Sequence, residues 1–414
     1  MSTSLLVHAW GLHGYRQQRI DFEDGNIRFV ITPNPATLRC SHCDSPAVTR
    51  AGQVERRFRM LPIGSQPVWI ELAVPRHWCA SCGKTRQAKI GFADPKVSYT
   101  RAWERYALEL SRPMTLQTVA GHLGVSWGVV KDIQKRYLQH RFAHIPLGNL
   151  RQIAIDEISI GKGHRYLTVV LDLESGAVVF IGEGKGADAL EPLWRKLRRC
   201  GARNRIEAVA TDMSPAYALA VRENLPNAVH GLDRFHVVKL FNDPLADLRR
   251  EVQRSVEKVE HKELLKGTLW LLLKNPQNLD EKRNERQRLE QALRINQPLA
   301  TAYYLKEDLR QFWRQTGKRA AEDFLNGWVA RAQASGVAML QKFAKTLQLH
   351  RAGLLAWYDY PISTGPLEGT NNKIKTMQRQ AYGYRNQEFF RLKIFAIHEA
   401  TYHYSATSFT LTAR

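Results

Sequence analysis

The stretch "STGPLEGTNNKIKTMQRQAYGYR", Ser363 to Arg385, holds a single acid followed by two asparagines and a ladder of bases. Gly365-Pro366 marks a helix start, because proline fixes φ and its missing N–H costs nothing in a first turn. Glu368, Asn372, Lys375 and Arg379 then recur at i, i+4, i+7 and i+11. That spacing puts them on one helix face, with Leu367 and Ile374 on the other. A solvated basic helix explains the bases but not the acid at their head. A metal-ligating carboxylate, followed by an amide and cations that lead a phosphate backbone away, explains both.

One carboxylate does not hold a catalytic cation, so the reading requires further acids. Asp156 ends the apolar run Ile153-Ala154-Ile155, and Asp212 ends Ala208-Val209-Ala210-Thr211. An acid at the end of a buried strand sits where its charge must be used or neutralised. By themselves these two are as consistent with a structural as with a catalytic role. On adjacent strands they can share a divalent cation, and hard oxygen donors beside a phosphate suit Mg²⁺. Asp172 also ends a strand but precedes Glu174-Ser175-Gly176, a turn signal, and reads as turn chemistry. Strand alternation sends Glu157 to the face opposite Asp156.

Composition agrees with a polyanionic partner. Lys plus Arg number 61 against 39 Asp plus Glu, a net charge of +22 spread along all 414 residues. Nucleic acid is the natural partner of such a surface. No apolar run approaches the ~20 residues that span a bilayer, and "MSTSLLVHAWGLHGYRQQRI" lacks the pattern of a signal peptide. These points predict a cytoplasmic, nucleoid-associated protein with no membrane partner.

Four of the five cysteines pair as Cys40-x-x-Cys43 and Cys79-x-x-Cys82. Two such knuckles present four thiolates in the tetrahedral arrangement of one structural Zn²⁺. His42 and His77 lie beside them as substitute ligands, and Cys200 reads as an ordinary helix residue. The segment "TLQTVAGHLGVSWGVVKDIQKRY" has the pattern of a helix-turn-helix. Leu116, Val119, Ala120 and Leu123 stripe one helix, Gly124 supplies the left-handed stop, and Val130 and Ile133 face inward from the next. Ser126 caps that second helix and stands with Trp127, Gly128 and Lys131 against the DNA, while Lys135 and Arg136 reach phosphates.

The chain divides accordingly. Residues 1–95 form a β-rich zinc-ribbon-like domain and 96–148 a helix-turn-helix domain. Residues 149–242 alternate strands and helices as the first part of a mixed-sheet core. Residues 243–348 read as an all-helical insertion. Residues 349–414 return to the core with the third acid, in a helical stretch running from 365 to 403. The fold class is α/β multidomain.

With "AIDEISIGKGHRYLTVVLDLESG", "VATDMSPAY", "LDRFHVVK" and "GPLEGTNNKIKTMQRQAYGYR" in hand, the sequence resembles bacterial insertion-sequence transposases of the DDE type, the ISL3 family above all. The resemblance spans nearly the whole chain. It implies an RNase H-like core whose catalytic and Mg²⁺-binding (or Mn²⁺-binding) acids are Asp156, Asp212 and Glu368, with two ions per active site. Asp233 and His236 of "LDRFHVVK" become site-adjacent residues, joined by Asn372 and Lys375, with Arg379 on the DNA. The implied reaction is hydrolysis of a phosphodiester at the element end, then attack of the freed 3′-OH on target DNA. Partners would be the terminal inverted repeats, target DNA and a second copy of the chain in a homodimer or higher oligomer. Two other readings compete: a transcription regulator that uses only the DNA-binding domains, and an RNase H-like nuclease or resolvase without strand transfer.

Overall fold

The structure, a computed structural model, describes residues 5–161 and 163–401. It divides into two compact units, Met1–Arg141 and Phe142–Arg414.

In the first unit, a short helix α1 (Leu5–His8) precedes a five-stranded sheet: β1 (Tyr15–Glu23), β2 (Asn26–Pro33), β3 (Val48–Ile63), β4 (Gln66–Cys79) and β5 (Lys84–Gln87). The strand order is β1-β2-β4-β3, with β5 also on β4. Val68, Ile70, Leu72 and Val74 alternate along β4 onto one face. There they meet Phe29, Ile31, Phe58 and Met60 in a single core, as period-two patterning dictates. Helices α2 (Arg101–Leu110), α3 (Leu116–Leu123) and α4 (Trp127–Arg141) follow. They pack around Trp103, Ala107, Val119, Ala120, Leu123, Val130 and Ile133. Gly124 stops α3 at φ 62°, a left-handed residue of the kind glycine supplies without strain. Arg59, from β3, donates to the Leu123 carbonyl at 2.9 Å and so covers one of α3's last orphan acceptors.

The second unit is built on a mixed sheet of β6 (Gln152–Gly161), β7 (Arg165–Asp172), β8 (Val178–Glu183), β9 (Ala208–Thr211) and β10 (Val229–Leu232). Its order is β10-β9-β6-β7-β8. β6, β7 and β8 form an antiparallel meander, while β9 and β10 run parallel to β6. This is the expected RNase H-like arrangement. The β7–β8 turn is closed by Gly176 at φ 72° and by Asp172, which accepts the backbone N–H groups of Glu174 and Ser175, so Asp172 does serve the turn. Helices α5 (Glu191–Arg199) and α6 (Pro215–Asn224) complete the alternation.

One long helix, α7 (Arg234–Ser255), carries the chain from this sheet into the helical insertion. The boundary expected at 242/243 therefore falls inside a continuous helix. The insertion continues through α8 (Val259–Lys266), α9 (Leu269–Leu273), α10 (Glu285–Ile295), α11 (Gln297–Leu309), α12 (Lys318–Ala334), α13 (Ala338–Leu349) and α14 (Arg351–Leu355). Its core, around Phe241, Leu272, Leu299, Trp328 and Phe343, also takes in Leu232 of β10. The chain then returns as α15 (Gly365–Gln380) and α16 (Gln387–Phe395).

Two further expectations are corrected. The closing stretch is not one helix: Tyr382 and Gly383 take φ 51° and 95°, and Asn386 caps α16 by accepting from the Phe389 N–H; residues 402 and 403 lie outside the described residues. The first unit ends at Arg141 rather than 148, because Leu147 and Leu150 are buried in the core of the second.

Close backbone approach in the sheet yields a test. A Cβ on Gly182 of β8 would meet the Ala189 carbonyl oxygen at 2.2 Å, whereas one on Gly148 would meet nothing within 4 Å. Gly182→Ala is expected to lose about 1–3 kcal/mol or more by overpacking against backbone, while Gly148→Ala stays close to the parent. Urea titration with a shared m-value checks this.

Candidate active site

β-Sheet parity decides which side chains can meet. β6 and β9 pair as Gln152↔Ala208, Ile153↔Val209 and Ala154↔Ala210. Two residues beyond the last pair stand Asp156, still within β6, and Asp212, one residue past the end of β9. Ala154, Ile158, Ala208 and Ala210 face one layer, with Leu167, Leu367 and Ile374. Ile153, Ile155 and Val209 face the other, with Trp194 and Tyr217. Asp156 and Asp212 share parity with the first set, the α15 face. Glu157 points the other way, where its carboxylate accepts the Tyr217 hydroxyl at 2.6 Å and the Gly186 N–H at 2.9 Å.

α15 is fastened across β6 at two points. Asn371 Nδ2 donates to Asp156 Oδ2 at 2.9 Å, and Gln378 Nε2 donates to the Ile160 carbonyl at 2.6 Å. Glu368 lies one turn before Asn371, three residues away and hence its neighbour on the helix surface. The Glu368 carboxylate is half-buried and takes no hydrogen bond or ion pair among the described residues. Asn372, Lys375 and Arg379 are exposed. The amide that touches Asp156 is therefore Asn371, not Asn372. Leu367, Asn371, Ile374 and Gln378 recur at i, i+4, i+7 and i+11: two amides stand on the apolar stripe itself, a signal that attention to the polar face passes over.

Asp156 Oδ1 accepts the Glu157 N–H at 2.8 Å, and Asp212 Oδ1 accepts the Ser214 N–H at 3.0 Å. Burial pushes the Asp156 carboxyl up; the Glu157 N–H, the nearby His236 and Asn371 pull it down, while the Asp212 charge adds to the rise. A cation between the two acids would relieve that repulsion, and their oxygens are donors of the kind Mg²⁺ or Mn²⁺ takes, although among the described residues only the four cysteines gather closely enough to form a metal-holding cluster. His236, in the first turn of α7, lies close enough to act on the Asp156 carboxyl.

Asp233 turns out to be a fastener. It is buried and caps α7, accepting the Phe235 N–H at 2.8 Å through Oδ1. Its Oδ2 accepts the backbone N–H of Thr364 at 2.8 Å and the Thr364 hydroxyl. Thr364 in turn offers its carbonyl to the Glu368 N–H at 2.8 Å. One carboxylate thus sets both α7 and the helix that carries the third acid.

A second residue escaped the sequence. His230, on β10, has Nε2 at 2.7 Å from Thr211 Oγ1, and that hydroxyl also donates to the Asp212 carbonyl at 2.7 Å. The hydroxyl has one proton, so Nε2 carries the other. The imidazole thereby supports the backbone that presents Asp212.

In the first unit, the four cysteine sulfurs lie within 4.8 Å of one another, with Cys40–Cys82 at 3.7 Å and Cys43–Cys79 at 3.6 Å. A tetrahedron with Zn–S bonds of ~2.3 Å has edges of ~3.8 Å, so the four thiols fit one zinc ion. Backbone N–H groups of Cys43 and His42 pull the Cys40 thiol down to about 6, favouring the thiolate. His77 is buried on the same strand with neither ring nitrogen hydrogen-bonded, and neither it nor His42 joins the cluster.

Among the DNA-facing candidates, Trp127 is 54% exposed and the Lys131 ammonium lies 5.3 Å from its ring centroid. Ser126 is exposed just before α4, and Lys135 is half-buried. Arg136 is exposed and already engaged within the protein. It donates to the Tyr99 hydroxyl at 2.8 Å and pairs with Glu104 of α2, fastening α4 to α2.

Zinc cluster, helix-turn-helix and a mixed sheet with acids on two strands and a returning helix together define a DDE-type transposase. Residues 153–394 match a family profile described as "Transposase". Residues 88–138 match the helix-turn-helix domain of transposase family ISL3, and 36–82 the zinc finger of the transposases of IS204, IS1001, IS1096 and IS1165. The chain belongs to the ISL3 family of insertion-sequence transposases. It is 32% identical over 401 residues to the transposase for insertion sequence element IS1001 of Bordetella parapertussis, covering 96% of this chain and 98% of the relative. It is 29% identical over 385 residues to that of IS1557 of Mycobacterium tuberculosis, covering 86% and 85%. A solved structure described as the Drosophila P element transposase strand transfer complex aligns at TM-score 0.39 and 13% identity over 73% of this chain and 92% of that one, a likeness too loose to bear on function.

Two outcomes are expected. Cys79→Ser should purify with far less than one zinc per chain by elemental analysis; stoichiometric zinc in that variant would remove the four-thiolate assignment. Asp233→Ala should lose about 2 kcal/mol of unfolding free energy, the cost of a buried N–H left without its acceptor. Denaturant unfolding reads the loss directly.

Proposed function

We propose that this transposase binds the terminal inverted repeats of its element, cleaves DNA there and joins the freed ends to a target, with Asp156, Asp212 and Glu368 holding two divalent ions. The observation that carries the reading is geometric: one acid on β6 and one directly past the end of the parallel neighbour β9, with a helix tied to the first of them by Asn371 and bearing a carboxylate engaged by nothing else among the described residues.

Mg²⁺ on these carboxylates would supply charge neutralisation at the attacking and leaving oxygens of an in-line displacement. The chain's own residues do the rest. Asn371 holds one Asp156 oxygen and the Glu157 N–H the other, which fixes the carboxylate plane. Lys375 and Arg379, exposed on α15 beyond Glu368, attract the phosphates that lead away from the site. In the first step a water oxygen bonds to phosphorus, the bond to the 3′ oxygen breaks, and that oxygen leaves as a 3′-OH after taking a proton. In the second step this hydroxyl attacks a target phosphodiester and displaces its 3′ oxygen in the same geometry. The helix-turn-helix, through Trp127 and Lys131 of α4, reads the repeat, and the zinc ribbon adds contact area beside it. Joining two ends requires at least two copies on DNA, and a C₂ dimer is the simplest assembly.

Asp156→Ala, Asp212→Ala and Glu368→Ala are each expected to abolish Mg²⁺-dependent cleavage of an element-end duplex while binding it as the parent does. Cleavage at parental rates by any of them would remove that acid from the assignment. Hydrolysis without joined product would favour a nuclease, and binding without hydrolysis by the parent would favour a regulator. Repeat binding should also weaken linearly in log–log form with added salt, as counterion release from phosphate contacts requires.

A further inference from the structure

The first turn of α7 has a feature that the acid site leaves unused. Asp233 and His236 are accounted for, but the two residues between them face outward. Phe235 is 48% exposed, one of the few large apolar side chains so open. Its ring centroid lies 5.6 Å from that of His236, edge to face, and His236 is the group whose charge acts on Asp156. The Phe235 backbone is not loose, because its N–H is held by the buried Asp233 carboxylate, which also grips Thr364. An exposed aromatic ring on a fixed backbone beside the acids offers a flat face on which a base can stack.

Arg234 adds the second half. Its guanidinium lies over the Trp313 ring, 5.5 Å from the centroid, and Trp313 sits in the 3-10 turn Arg310–Arg314 of the helical insertion. Burial lowers the Arg234 guanidinium's pKa, and the charges of Arg310 and Arg314 lower it further. Arg310 is engaged by Glu307 and Asn275, whereas Arg234 and Arg314 are exposed and in no ion pair among the described residues, Asp233 being an acid whose charge acts on Arg234. Arg234 and Arg314, from separate elements, are thus close enough for their charges to interact, and Phe235 follows Arg234 directly on α7.

We infer that Phe235, Arg234 and Arg314 form a ledge for one unpaired nucleotide of the DNA strand at the acid site: the base stacks on the Phe235 ring and its phosphate meets the two guanidiniums. The inference rests on the proposed cleavage reaction. It gives the insertion a task in that reaction: Arg314 and the Trp313 mount of Arg234 both belong to it. Stacking on an aromatic face is tolerant of base identity, and arginine is suited to phosphate by its planar fork.

The test uses the full chain and a single-stranded thymidylate of about eight nucleotides, within the ~4–16 that single-strand sites span, in chelator-containing buffer. Phe235→Ala should bind it roughly tenfold more weakly, the loss of one base–aromatic stack, and Phe235→Trp should restore binding. Arg314→Ala should weaken binding and lower its salt slope by about one. Equal affinity for parent and Phe235→Ala would overturn the ledge. This arm needs neither cleavage nor element sequence, so it stands even where the transposition reading fails. In cleavage assays with Mg²⁺, the Phe235→Ala deficit should appear on fully paired element ends and vanish on ends already unpaired at the scissile position; parental rates on both would likewise reject the ledge. A parent that cleaves neither would count against the cleavage reading alone.

Discussion

The catalytic unit depends on one buried carboxylate. The chain leaves the sheet at Asp233 and comes back at Thr364, 131 residues later, and the two ends are hydrogen-bonded to each other. Everything the returning helix must do is referred to this junction. Thr364 starts α15, the Glu368 N–H bonds to its carbonyl, and Asn371 reaches Asp156 one turn on. A flexible loop of that length would make the closure entropically costly, although the cost grows only logarithmically. The insertion avoids most of it by folding on a core drawn mostly from its own helices, so that its two ends are delivered close together. Hydrogen bonds from a backbone N–H and a hydroxyl to a buried ionised group are also among the stronger ones. Separation in sequence is therefore no obstacle to precise placement of the third acid.

The sheet supplies the complementary constraint. Because side chains alternate strictly along β6, Asp156 and Glu157 go to opposite faces, and Asp212 follows directly on the end of the neighbouring β9. Each face then treats its acids differently. Glu157 accepts local hydrogen bonds from Tyr217 and Gly186, whose shared contact ties α6 to the sheet. Burial pushes the Tyr217 hydroxyl up, and the Glu157 carboxylate that accepts its hydrogen bond pushes it further, so it stays a donor. On the other face Asp156 is half-buried with only partial compensation, and Glu368 has none. Adjacent acids of one strand, Asp156 and Glu157, thus differ in role because of parity alone.

Much of this was legible in the sequence, and what was not has physical reasons. Apolar runs ending in Asp156 and Asp212, the turn at Asp172, the stop at Gly124 and the cysteine knuckles are local patterns, and each recurs in the structure. Asn371 was missed because an amide on an apolar stripe looks like an interruption until the facing strand is known. His230 lies on β10, a four-residue strand too short to show a period. Arg136 sits among bases and reads as a phosphate contact, yet its partners Glu104 and Tyr99 are more than thirty residues away. The break at Tyr382–Gly383 was hidden by helical composition on both sides. What fails in each case is the tertiary partner, which no spacing encodes.

The same point bears on how the basic excess is distributed. In the first unit several arginines are spent on architecture before any DNA arrives. Arg59 lies 4.8 Å from the Trp69 ring centroid while capping α3, and Arg57 lies 5.6 Å from the same ring while pairing with Glu71 at 2.7 Å. Guanidinium planes suit this double duty, since one face stacks as the edge donates. The cations left to attract a polyanion are then fewer than the net charge suggests; Lys375, Arg234 and Arg314 are among those that are exposed and in no ion pair among the described residues. A polyanion approaching α15 would meet Lys375 and Arg379 on its exposed face beyond Glu368, cations that offset the repulsion of a carboxylate for phosphate.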